Sequence, residues 1–89
     1  MPTIELLIKG KVQGVFFRAS AQQRALALGL NGWVMNQPDG SVLLRATGNP
    51  EGLAQLEAWC KQGPSGAKVG SLEKKDLPEE EFERFQVIR

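Results

Sequence analysis

Between an alternating apolar run, Thr3 to Ile8, and a helix-forming run that begins near Arg18 lies the segment Lys9-Gly10-Lys11-Val12-Gln13-Gly14-Val15-Phe16-Phe17. The alternation puts Ile4, Leu6 and Ile8 on one face, which reads as a strand. The segment after it is therefore a strand-to-helix loop. Gly10 and Gly14 admit backbone angles that a Cβ disfavours, so the loop is free to turn successive N–H groups toward one centre. The unpaired N–H groups of the helix that follows, and the positive end of its dipole, point the same way. An anion suits that place, and phosphate suits it best. Arg18 closes the loop with a planar fork of donors matched to phosphate oxygens. The plainer reading is a turn followed by a surface helix residue, since glycine serves turns in general.

The rest of the chain fixes what surrounds this loop. Arg18 to Leu28 is rich in Ala, Gln and Leu, and Phe17, Ala21, Ala25 and Leu28 recur at helical spacing as one apolar stripe. Gly29 is placed to cap the helix, with Leu30 supplying the accompanying contact. Asn31 to Asn36 and Ser41 to Thr47 read as strands joined by Gln37-Pro38-Asp39-Gly40, a hairpin signal. In the second of these Val42, Leu44 and Ala46 face one way, and Ser41, Leu43, Arg45 and Thr47 the other. Asn49 and Pro50 start a second helix that runs to about Lys61 with Leu53, Leu56 and Cys60 inward, and Gly63-Pro64 ends it. Ala67 to Lys75 reads as a strand, Leu77 to Glu81 as a solvated acidic connector, and Phe82 to Arg89 as holding a last short strand with Phe85 and Val87 on one face. The order is β-α-β-β-α-β with an extra terminal strand. That is the α+β, ferredoxin-like sandwich, with one antiparallel sheet covered on one face by two helices.

Composition narrows the chemistry. The chain has 89 residues, which we read as one domain, 1–89. Its net charge of +1 argues against a nucleic-acid partner. The RNA-recognition pattern is also missing, because Lys9-Gly10 is followed by Lys11 and the paired phenylalanines fall at the loop's end. There is no His and no Tyr, so catalysis would proceed without an imidazole base. A single Cys excludes an intrachain disulfide and, with no His, leaves no zinc-ligand set. No apolar run reaches the length of a membrane helix, and the start is not that of a signal peptide. The expected location is cytoplasmic, with no membrane partner.

Gly10-Lys11-Val12-Gln13-Gly14-Val15-Phe16-Phe17-Arg18 resembles the first signature of the acylphosphatases. Gly32-Trp33-Val34-Met35-Asn36, followed by Asp39-Gly40-Ser41-Val42 and Gly48, resembles their second. Trp59 to Val69 and Phe85-Gln86-Val87 are similar to the family as well, so the likeness spans nearly the whole chain. Leu43 departs from it, standing where an acidic residue is common. The resemblance is to the free-standing enzyme rather than to a larger protein carrying such a domain. It implies hydrolysis of an acyl phosphate to a carboxylate and inorganic phosphate, with no cofactor and no metal. It implies Arg18 as the phosphate-binding catalytic residue and Asn36 as the one that positions water. The phosphate-binding loop would be Gln13, Gly14, Val15, Phe16, Phe17 and Arg18.

Those roles suit the reaction. An acyl phosphate has a good leaving group, so the work is to hold a dianion and place a water in line. An Asn amide donates and accepts, and so orients water without adding negative charge. No Cys lies between Ile8 and Arg18, which excludes a phospho-cysteine intermediate. Each residue also has a bland reading. Asn36 before Gln37-Pro38-Asp39-Gly40 suits a turn, Gln13 either braces the loop or is solvated, and Phe16 walls the site. Phe17, Trp33, Trp59 and Cys60 read as packing residues. The rival function is a catalytically silent module that binds phosphate or carbamoyl phosphate. A monomer is expected, because no exposed apolar strip survives the assignment of elements.

Overall fold

The computed structural model describes residues 1–89. The first strand, β1 (Thr3–Lys11), is an inner strand that pairs on both sides. Its Ile4, Leu6 and Ile8 are buried, as alternation requires. It runs three residues past the apolar alternation because β4 (Lys68–Leu77) continues to pair with it across an irregularity. Lys9 faces Ser71 and Gly10 faces Val69, so Gly70 is bulged out. Gly10 makes that approach possible. Its φ is +130°, and a Cβ there would sit 2.3 Å from the Lys68 carbonyl oxygen and 2.6 Å from the Gly70 nitrogen.

Helix α1 (Phe17–Ala27) buries Phe17, Ala21 and Ala25, three of the four stripe positions. The fourth, Leu28, is half-buried at the C-cap, and Leu30 fills the core instead. Strands β2 (Asn31–Asn36) and β3 (Val42–Thr47) form the expected hairpin. Within its turn Ser41 is buried rather than exposed, its hydroxyl donating to Asp39 Oδ1 at 2.6 Å and lying 2.9 Å from Gln37 Oε1. Helix α2 (Pro50–Cys60) starts as its sequence dictates, with the Asn49 side chain accepting from the Glu51 N–H at 2.8 Å. It buries Leu53, Leu56 and Cys60. Trp59 packs on the start of α1, its ring 5.3 Å from that of Phe17 at a tilt of 55°.

The sheet order is β4-β1-β3-β2-β5, where β5 is Phe85–Ile88. Four strands are antiparallel, as expected. The fifth is parallel to β2, so the sheet is mixed rather than wholly antiparallel. The path of the chain explains this. Strand β4 ends beside Thr3, at the end of the sheet where β2 begins, and residues 78–84 cross that end to the opposite edge. A strand entered there has to run alongside β2. The crossing segment is not merely solvated. Glu80 takes the Thr3 side chain as acceptor for its N–H, accepts from the Thr47 hydroxyl at its carbonyl, and pairs its carboxylate with Arg45.

The opposite end of the sheet gathers the exit of β1, the end of β2, the end of β5 and the start of α1. On the helix-free face, Leu7, Leu43, Met35 and Ile88 occupy one register row across β1, β3, β2 and β5. The row is apolar, but its own sheet half-buries Leu7, Leu43 and Met35, and only Ile88 is exposed, at 38%.

Candidate functional site

The loop that follows β1 is held at three points. Val12 is buried in the core. Gln13 braces the loop, its Nε2 donating to the Gln37 carbonyl at 2.8 Å and the Ser41 carbonyl at 2.9 Å. Both partners belong to the β2–β3 turn, so one side chain locks loop and hairpin together. Val15 packs against the core from its edge.

Two residues of the loop have left-handed backbone, Gly14 at φ +74° and Phe16 at φ +63°, ψ +24°. For a bulky residue this is unusual and costs about 1–2 kcal/mol. The result is a backbone that curls into α1 with its donors unspent. None of the N–H groups of Gln13, Gly14, Val15 and Phe16 donates to an acceptor in the protein. Those of Phe17, Arg18 and Ala19 open the helix, and the first N–H to find a carbonyl one turn back is that of Ser20, which donates to Phe16. Curled N–H runs of this kind, set at the positive end of a helix, form a concavity for an anion.

Arg18 lies in the first turn of α1 and is half-buried. Its Nη1 donates to the Ile88 carbonyl at 3.1 Å, which ties the guanidinium to the end of β5. Asn36 is the last residue of β2. Sheet register lines it up with Val42 and, through Val42, with Ile8 at the exit of β1. It shares the helix-covered face with the buried Val34. Its Oδ1 is buried and has no hydrogen-bond partner in the protein. A buried acceptor left so is costly, by about 1–3 kcal/mol, unless a water or a ligand fills it.

Arg18, Asn36, Gly14 and Phe16 open on one cavity of about 420 Å³, together with Val87 and Arg89. Phe17 contributes to its wall while its ring serves the core. Phe16 is 82% exposed at this wall. Gln13 and Val15 do not line the cavity; they shape the loop from outside. No carboxylate, Cys or His side chain lines it either. Arg89 escaped the sequence reading, although continuing the alternation of Phe85 and Val87 by one step would have placed it on this face. Cys60 lies away from the cavity, and burial, followed by the charge of Glu57, pushes its thiol up to about 12.

Fold and cavity together define a split β-α-β sandwich that gathers unspent backbone donors, an arginine and an asparagine at one end of its sheet. The family model described as Acylphosphatase matches residues 4–87, and the chain belongs to the acylphosphatase family. It is 46% identical over 90 residues to the acylphosphatase of Methylococcus capsulatus, covering 100% of this chain and 98% of that one. Among solved structures it is similar to an acylphosphatase from Coxiella burnetii, with a TM-score of 0.95 and 37% identity over 98% of this chain and 92% of that one. The acylphosphatase of Bacillus subtilis matches at a TM-score of 0.96 and 31% identity, with both chains covered completely.

Proposed function

We propose that this enzyme of the acylphosphatase family hydrolyses the carboxyl–phosphate bond of small acyl phosphates by direct attack of water at phosphorus. The phosphoryl group sits in the curl of the loop, its oxygens accepting from the unspent N–H groups of Gly14 and of Phe16 to Ala19, which line the cavity. The guanidinium of Arg18 closes the cradle and balances charge that builds on the equatorial oxygens. Asn36 accepts from a water through its Oδ1 and aims that water at phosphorus.

The bond from the water oxygen to phosphorus forms while the bond from phosphorus to the acyl oxygen breaks. That electron pair leaves with the carboxylate. The proton lost by the water goes to a phosphoryl oxygen of the substrate, since no side chain able to act as a base lines the cavity. The products are a carboxylate and inorganic phosphate. The site works without a metal, because backbone donors and Arg18 supply the positive field and no carboxylate is there to hold a cation. The chain acts as one domain in the cytoplasm and as a monomer. The row of Leu7, Leu43 and Met35 is half-buried within its own sheet, and an ion-paired row containing Glu5 and Arg45 flanks it.

What carries this reading is the meeting, in one cavity, of Arg18, a buried unpartnered Asn36 oxygen and a run of unspent N–H groups. Hydrolysis of benzoyl phosphate in ¹⁸O-water tests it. Attack at phosphorus puts the label in inorganic phosphate. Label in benzoate would mean attack at the carbonyl carbon and would overturn the mechanism.

A further inference from the structure

We infer that Arg89 is a second phosphate-binding cation of this site, one that captures the dianion without taking part in bond breaking; this rests on the reading just given. Sheet register supports the placement. Strand β5 runs parallel to β2, with Gly32 facing Phe85, Val34 facing Val87 and Met35 facing Ile88. Phe85 and Val87 point to the helix-covered face, as Val34 and Asn36 do. One step further, Arg89 comes level with Asn36 on that same face. It lines the same cavity as Arg18 and Asn36.

Charge points the same way. Arg89 makes no salt bridge, whereas Arg45 is held between Glu5 and Glu80, and Lys74 lies against Glu57 and Asp76. No carboxylate side chain lines the cavity to neutralise it. An acyl phosphate brings two negative charges. Arg18 brings one positive charge, and part of its fork is already spent on the Ile88 carbonyl. The loop N–H groups and the helix end add about half a charge. Arg89 supplies the remainder. Being exposed, it acts as a screened charge rather than as a fixed fork, so its effect falls on capture.

The test compares wild type, Arg89→Gln and Arg89→Lys. It reads kcat and KM for benzoyl phosphate and, separately, the Kd of inorganic phosphate by calorimetry, at low and at high salt. At low salt Arg89→Gln raises KM and the phosphate Kd by about tenfold, while kcat falls by less than about threefold. High salt closes the gap, because the screening length drops to about 3 Å at 1 M. Arg89→Lys restores both constants, which a role in packing would not allow. Unchanged KM and Kd in a folded Arg89→Gln protein, or a loss confined to kcat, overturns the inference. If wild type shows no turnover but Arg89→Gln still weakens phosphate binding tenfold, the inference stands and the hydrolase reading falls.

Discussion

Gln13→Ala removes the side chain that ties the phosphate loop to the β2–β3 hairpin. Its Nε2 makes two hydrogen bonds, of 2.8 and 2.9 Å, to the carbonyls of Gln37 and Ser41. Neither carbonyl is orphaned by the change, because Gln37 also accepts from the Gly40 N–H and Ser41 from the Gln37 N–H. The cost is therefore two net hydrogen bonds without a desolvation penalty, at about 0.5–1.5 kcal/mol each. The side chain is half-buried, and freeing it recovers rotamer entropy, so the lower part of that range applies. We expect a loss of about 1.5 kcal/mol, equivalent to a fall in Tm of roughly 6–12 °C for a domain of this size. The phosphate Kd should rise as well, since the loop loses its tie to the hairpin. Urea unfolding followed by tryptophan fluorescence, with phosphate titration of the folded protein, gives both numbers. Gln13→Glu is the sharper control. It keeps the shape but turns an acceptor toward two carbonyls, so it should be less stable than Gln13→Ala near neutral pH, with the deficit narrowing as acid supplies a proton to donate. A Gln13→Ala protein with unchanged midpoint and unchanged phosphate affinity would refute the bracing role.

Three further outcomes are expected. Gly10→Ala should cost about 2–4 kcal/mol, more than Gly14→Ala, because its Cβ meets β4 backbone while nothing lies within 4 Å of one at Gly14; the reverse order in thermal melts would contradict the close approach. The hydroxyl and then the N–H of Ser41, with a smaller contribution from Lys9, hold the Asp39 carboxyl below its ordinary 3.8. Its folded value is depressed, so its contribution to the turn is complete above 3.8 and is lost as pH falls through the folded value; a carboxyl NMR titration with a midpoint at or above 3.8 would contradict this. Buried Cys60, its thiol pushed up to about 12, should resist a disulfide reagent at mildly alkaline pH until the protein unfolds; stoichiometric labelling of the native protein would contradict that.

Much of this architecture could be read from local pattern. Alternation in Thr3–Ile8, the stripe of Phe17, Ala21 and Ala25, the Asp39-Gly40 turn and the Asn49-Pro50 helix start each depend on a few neighbouring residues. Arg18 stands out locally as the fork of donors that closes the glycine loop, whereas Asn36 reads locally as a turn residue and is singled out only by the family resemblance; the fold brings both to one cavity. What stayed hidden depends on partners distant in sequence. The direction of β5 is decided by where β4 ends, not by anything in Phe85–Ile88. Strand β1 continues through the polar Lys9–Lys11 only because β4 tolerates a bulge at Gly70. Whether Gln13 braces the loop was undecidable until the Gln37 and Ser41 carbonyls were placed beside it. Glu80 looked solvated for the same reason, since Thr3, Arg45 and Thr47 are far away along the chain. The left-handed backbone of Phe16 has no local cue at all, because phenylalanine disfavours it.

The most direct test of the central claim is benzoyl phosphate hydrolysis by wild type, Arg18→Ala and Asn36→Ala, each verified as folded and each assayed with EDTA present. The account predicts rapid cleavage by wild type in EDTA. It predicts that Arg18→Ala loses both turnover and phosphate binding, and that Asn36→Ala loses turnover while still binding phosphate. Cleavage that survives in either folded variant, or wild-type cleavage that EDTA abolishes and magnesium restores, would contradict it.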